Sequence, residues 1–178
     1  MAGLRVFRAY RRLKRPYTRK SKFKKHNFLR GIPNHKIVRF DMGDKTENYS
    51  NAVKLVSIRD LNIRHNAIEA ARTMINREMQ EKIGKTGYKL KINKYPHHAI
   101  RENKGAAGGN KADRVQSGMS HSYGKITTMA IRVKKNEPLF TAYVGDSHVE
   151  IAKKVLSSVS PKLPCGIKIL VEKKNNNS

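Results

Sequence analysis

The first forty residues of this chain hold 14 Lys or Arg and no Asp or Glu, and the first acid is Asp41. A segment of one sign cannot neutralise itself, so it compacts only against the rest of the chain or against a polyanion. Residues 41–178 hold 25 basic and 13 acidic residues, which divides the formal net charge of +26 into +14 and +12. The break reads as a boundary: residues 1–35 form a basic aromatic arm, residues 36–174 one domain, and residues 175–178 a polar tail. In the arm, Phe7, Tyr10, Tyr17, Phe23 and Phe28 interleave with the cations without a sustained period of 2 or 3.6, so the arm should have no core of its own. Its rings can stack on bases or riboses, or pin the arm to the domain. The clusters Arg11-Arg12, Lys14-Arg15 and Lys22, Lys24-Lys25, with Arg19 and Lys20 between them, are candidate phosphate contacts. The alternative for the arm is a solvated, disordered tail, against which its aromatic residues weigh.

The residues support no other chemistry. With 178 residues and 38% hydrophobic residues the chain can bury one modest core. No apolar run approaches the ~18 residues of a membrane span, and residues 1–8 show no apolar stretch of signal-peptide length, so a cytoplasmic protein is expected. Nucleic acid is the leading partner, with an anionic membrane surface well behind it. Cys165 is the only cysteine, which excludes an internal disulfide and a paired-Cys zinc site; it reads as a small buried hydrophobe. The glycine-rich stretch Gly105–Ala112 matches neither a phosphate-binding loop nor a dinucleotide fingerprint. His97 and His98, adjacent on an expected strand, should point to opposite faces and share no metal. No nucleophile–base pair is legible, and Asp113 reads as a partner for Arg114 or a turn cap. Neither a cofactor, a metal, a catalytic group nor a homo-oligomer is expected.

The remaining pattern is of short regular elements. Lys36–Phe40 reads as a strand closed by the turn Asp41-Met-Gly43, and Ala52–Ile58 as a second strand. Ile68, Ala71, Ile75, Met79 and Ile83 recur in steps of three or four, which predicts a helix from about residue 63 capped by Gly84. Its other face offers Arg72, Arg77 and Lys82, either as a solvated face or as RNA contacts. Further strands are predicted at Tyr88–Asn93, His98–Arg101, Met129–Val133 and Phe140–Val144, the last two joined by a turn at 134–138. Residues 103–125 read as a long loop, of a length that is functional or disordered in compact domains. Ser147-His-Val-Glu150 reads as a capping box opening a second helix that Pro161 stops, followed by a strand at Ile167–Val171. The pattern predicts an α+β domain with two helices packed on a largely antiparallel sheet.

Several motifs fall in an order that composition cannot account for: Arg15-Pro-Tyr17, Arg30-Gly-Ile-Pro33, Lys36-Ile37, Phe40-Asp-Met-Gly43, Glu69-Ala-Ala-Arg72, Tyr95-Pro-His97 and Ile100-Arg-Glu-Asn103. Lys111-Ala-Asp-Arg114, Gln116-Ser-Gly-Met119, Gly124-Lys125 and Pro164-Cys165 continue the series. Over about residues 10–172 the chain resembles the universal large-subunit ribosomal protein sixteen family in its archaeal and eukaryotic "ten-e" form. The resemblance implies an α/β-hammerhead-like fold without enzymatic chemistry, seated among neighbouring ribosomal proteins between the central protuberance and the peptidyl-transferase region. It also implies contact with large-subunit ribosomal RNA, proximity to 5S RNA, and a long loop aimed at the acceptor end of transfer RNA. Carried to this chain, Arg15, Tyr17, Arg30 and Lys36 would bind ribosomal RNA, and Lys104, Lys111, Asp113, Arg114 and Gln116 would form the element near transfer RNA. A free-standing basic RNA or DNA chaperone is the competing reading, since it needs the charge but no fixed site.

Overall fold

The computed structural model describes residues 6–13, 17–18, 20–29, 31–102 and 124–173. The stretch 103–123, with its candidate residues Lys104, Lys111, Asp113, Arg114 and Gln116, lies outside them, as do Lys14, Arg15, Arg19 and Arg30.

The described strands are β1 (Asp41–Gly43), β2 (Asn51–Ser57), β3 (Leu61–Arg64), β4 (Tyr88–Ile92), β5 (His98–Glu102), β6 (Lys125–Val133), β7 (Pro138–Val144) and β8 (Ile167–Lys173). They form two antiparallel sheets instead of one, a five-stranded sheet in the order β1-β4-β7-β2-β8 and a three-stranded sheet in the order β3-β6-β5. Two helices among the described residues, α1 (His65–Ile83) and α2 (Val149–Ser158), pack on them, as an α+β reading requires. Helix α2 lies against β2, β7 and β8, whereas α1 touches α2, β4, β3 and β6 and so bridges the two sheets.

The α1 stripe behaves as its spacing predicts: Ile68, Ala71, Ile75 and Met79 are buried in a core shared with Val53, Leu55, Leu90, Ile131, Phe140, Val155 and Leu156. Gly84 ends the helix at φ 90°, donating its N–H to the Gln80 carbonyl at 3.1 Å. This left-handed backbone is one that a residue without a Cβ adopts freely. In β4 the alternation is also as read, with Tyr88, Leu90 and Ile92 buried and Lys91 exposed. The Tyr88 hydroxyl reaches down to Asn76 Oδ1 of α1 at 2.9 Å, which ties the large sheet to the bridging helix.

Four expectations need correction. The first strand is Asp41–Gly43, pairing Asp41 with Lys91, while Lys36–Phe40 is extended chain that only meets β4 through the Phe40 carbonyl and the Ile92 N–H. The residues Asp41-Met-Gly43 read as a turn in sequence, but the positive φ at Gly43 serves the close approach of β1 to Tyr88 instead. Second, residues 61–64 are a strand and α1 begins at His65; a four-residue strand running directly into a helix leaves no turn signal between them. Third, Ser147–Glu150 is no capping box: a 3-10 turn spans Asp146–His148, α2 starts at Val149, and no side chain caps it. Fourth, the turn at 134–138 joins strands of different sheets. Its backbone is laced to the β2–β3 connection, with Asn136 N–H donating to the Ser57 carbonyl (2.8 Å) and Lys135 N–H to Asp60 Oδ1 (2.6 Å). The chain thus crosses between sheets at β2–β3, through α1 at β3–β4, at β4–β5 and at β6–β7.

A Cβ at Gly43, where φ is +80°, would stand 2.1 Å from the Tyr88 carbonyl oxygen. Gly43→Ala should lower stability by about 1–3 kcal/mol, the usual cost of a strained backbone position. Gly145→Ala, with φ −71° and open space around it, should leave the chemical-denaturation midpoint unchanged. Equal midpoints for the two variants would show that the β1–β4 approach is not as tight as described.

Candidate nucleic-acid interface

A three-stranded sheet has two edges, each a row of backbone groups that need partners. Both edges here meet the basic arm. On the β3 side, Asn62 N–H donates to the Arg11 carbonyl (3.0 Å), and its side-chain amide donates to the carbonyls of Tyr10 (3.2 Å) and Arg12 (2.6 Å). On the β5 side, Ala99 N–H donates to the Thr18 carbonyl at 3.3 Å. Arg101, buried, donates through Nε to the Tyr17 carbonyl (2.8 Å), through one terminal nitrogen to the Gly124 carbonyl (3.1 Å), and through the other to the Phe28 carbonyl.

The arm's apolar residues grip the faces of the same sheet. Tyr10 packs on Ile100 and Ala130, and Leu29 on Ala99 and Met129. Because the residues beneath them are neighbours along each strand, Tyr10 and Leu29 sit on opposite faces. The Arg64 guanidinium lies 4.1 Å from the Tyr10 ring centroid and 3.7 Å from Glu102. Tyr17 is in edge-to-face contact with Phe28 at 5.0 Å. Backbone and rings are therefore used to hold the arm in place.

The charged ends are not used in this way. All nine described Lys and Arg of residues 6–40, namely Arg8, Arg11, Arg12, Lys20, Lys22, Lys24, Lys25, Lys36 and Arg39, are exposed. Among the described residues none of them forms an ion pair. Six of the domain's acids are paired elsewhere: Glu69 to Arg72 (2.6 Å), Glu78 to Lys82 (3.3 Å), Glu81 to Arg77 (3.7 Å), Glu137 to Lys94 (2.8 Å), Glu150 to Lys153 (2.6 Å) and Glu172 to Lys54. The three α1 cations considered as RNA contacts thus have intrahelical partners, whereas the described cations of the arm have none.

Beside the arm lies a groove of about 1110 Å³ lined by Lys20, Ser21 and Lys22, by Ile32–His35, by Tyr95–His98, and by Met129 and Arg132. Among the described residues no Asp or Glu lines it. Tyr95 is 57% exposed although one side of its ring stacks on Phe40 (5.4 Å, 25°) and its margin meets His35 (5.0 Å, 86°). His97 precedes β5 instead of lying in it, so strand alternation does not separate it from His98, and the two rings are 4.4 Å apart, contrary to the expectation of opposite faces. They form no metal cluster: no group of three or more His, Cys, Asp or Glu suited to a metal occurs among the described residues. His35, Tyr95, His97, His98 and Arg132 were not legible as a site, because they converge only where the chain crosses between sheets.

The remaining titratable groups read as structural. His65, buried at the start of α1 with Nε2 3.3 Å from the Thr128 hydroxyl, is held below the usual imidazole value by burial and by the nearby Lys36, His35 and Arg64 charges. Burial pushes the Cys165 thiol up, which opposes a reactive thiolate. No described helix is long and apolar enough to cross a membrane.

Comparison with known proteins gives a consistent set. Residues 14–170 match the family model described as ribosomal protein L16p/L10e. The chain is 40% identical over 169 residues to large ribosomal subunit protein uL16 of Methanospirillum hungatei, covering 94% of this chain and 95% of that one. It is 39% identical over 166 residues to the protein of the same name from Archaeoglobus fulgidus (93% and 91% covered) and 40% identical over 172 residues to that of Methanococcus maripaludis (96% and 95% covered).

Arg101 is the hinge pin of the arm, and replacing it with Met removes a charged donor from three buried-side carbonyls. The variant should lose of order 3 kcal/mol of stability, since hydrogen bonds from charged donors are the strong ones. Limited trypsin digestion should cut at Lys20–Lys25 well before the domain unfolds. Cleavage of the arm at the unaltered rate would mean that Arg101 does not hold it.

Proposed function

The chain belongs to the ribosomal protein L16p/L10e family, and on that premise we propose that its arm and adjoining groove bind and stabilise ribosomal RNA while the long loop helps position aminoacyl-transfer RNA near the peptidyl-transferase centre. The chain is a structural, non-enzymatic constituent of the large ribosomal subunit. The observation that carries the RNA reading is the separation of roles in the arm, whose backbone is fixed to the small sheet while its seven described cations are exposed and form no ion pair among the described residues.

The mechanism follows from that separation. A fixed backbone presents cations at set positions, so phosphate binding releases counterions without first ordering a random chain. Recognition of folded RNA then rests on shape, 2′-hydroxyls and unstacked bases. For the loop, family membership and the length and basic, glycine-rich composition of residues 103–125 support a place near the acceptor end of transfer RNA, with Lys104, Lys111, Asp113, Arg114 and Gln116 as its contact residues. A position near 5S RNA and neighbouring ribosomal proteins belongs to the same proposal.

Gradient sedimentation tests the address: the protein should travel with large subunits through moderate salt, and loose association with any nucleic acid would point to a chaperone. Changing Arg11, Arg12, Lys14 and Arg15 to Ala should flatten the dependence of log K on log salt by roughly 3, given about 0.7–0.9 per phosphate contact. An unchanged slope would remove them as phosphate contacts. Deleting residues 104–116 should leave the protein folded and subunit-bound but weaken transfer-RNA binding in the A site, and unaltered A-site binding would refute the role of the loop.

A further inference from the structure

The groove between the arm and the β4–β5 crossing has a feature that phosphate binding alone does not use. Tyr95 leaves more than half its surface in water, yet it is held rigidly by the parallel Phe40 ring on one side and the perpendicular His35 ring at its margin. Phe40 is itself fixed, its carbonyl accepting the Ile92 N–H at 2.8 Å. A planar ring backed in this way presents an ordered π-face to the solvent. Among the described residues that line the groove with it are the cations Lys20, Lys22 and Arg132, and no carboxylate. His97 Nδ1–H donates to the Tyr95 carbonyl at 2.9 Å, which leaves Nε2 as the ring's other hydrogen-bonding atom. The groove combines a stacking platform, positive charge and a hydrogen-bonding edge in a space of about 1110 Å³, slightly above the roughly 300–1,000 Å³ usual for small-ligand sites.

We propose that this groove is a subsite for a single unstacked nucleotide of ribosomal RNA, its base stacked on Tyr95 and its flanking phosphates held by Lys20, Lys22 and Arg132. The proposal deepens the RNA-binding reading and rests on it. A continuous duplex cannot use the platform, because its bases show their faces only to one another and a protein reaches them only where the stack is broken, at a bulge, loop or end. The subsite therefore selects irregular RNA, whereas the arm cations, which meet phosphates, bind regular and irregular RNA alike.

Two short RNA duplexes serve as probes for the full-length chain, one perfect and one with a single bulged 2-aminopurine. The wild-type protein should bind the bulged RNA more tightly and quench its fluorescence by stacking. Tyr95→Ala should reduce binding of the bulged RNA about tenfold, within the range of base–aromatic stacking, leave binding to the perfect duplex unchanged, and abolish the quenching. Tyr95→Phe should keep both the preference and the quenching. As Tyr95 is largely exposed, Tyr95→Ala should melt as the wild type does; if it does not, the preference and quenching by Tyr95→Phe and wild type still decide the matter. Equal binding of both RNAs by the wild type without quenching would overturn the subsite and leave the RNA-binding reading standing, while failure to bind either RNA would overturn both. A free mononucleotide that binds as tightly as the bulged RNA would overturn the assignment to RNA.

Discussion

The small sheet β3-β6-β5 exists in this form because its edges are closed by a segment that carries no acid. Three strands with two open edges are a marginal and aggregation-prone object. Here the Arg11 carbonyl takes the Asn62 N–H on one side, the Thr18 carbonyl takes the Ala99 N–H on the other, and Tyr10 and Leu29 cover opposite faces. The arm and the sheet thus complete each other, and the site depends on both, since the groove has one wall from the arm and another from the β4–β5 crossing.

That arrangement also explains how so much like charge is tolerated. Self-repulsion opposes compaction most when charges are brought together or buried. The arm is attached through carbonyl oxygens and rings, which are neutral, and its described Lys and Arg side chains remain in solvent. Arg101 and Arg64, the buried guanidiniums at the junction, come from the domain and are matched by carbonyls, by Glu102 and by the Tyr10 ring. Seven of the domain's acids pair with its own lysines and arginines, so none of them neutralises the arm. A ribosomal RNA partner supplies the countercharge that the fold leaves out.

Periodic elements were legible because their physics is local. The α1 stripe from Ile68 to Met79, its Gly84 stop and the β4 alternation follow from a repeat that any amphipathic element of that kind must show. Errors fell where two signals compete over few residues. Ile63 fits both a strand pairing with Ile131 and the first turn of a helix, and only the ladder to β6 decides between them. Gly43 carries a turn signal and instead permits a close strand approach. Ser147 and Glu150 have capping-box spacing, but Asp146 Oδ1 is drawn to Ser50 and Asn51, and the chain enters α2 through a 3-10 turn.

By itself the sequence determined the partner class, the acid-free arm, the helical core faces and, through ordered motifs, the family, because charge counts, periodicity and motif spacing need no knowledge of what lies far along the chain. The tertiary structure alone decided that the strands divide into two sheets, that the arm closes both edges of the smaller one, and that Tyr95, His35, His97 and Arg132 meet Lys20 and Lys22 in one groove. Those facts depend on contacts between residues far apart in the chain, such as Asn51 and Lys173, and such contacts are set by which buried surfaces and backbone edges find each other when the whole chain is packed.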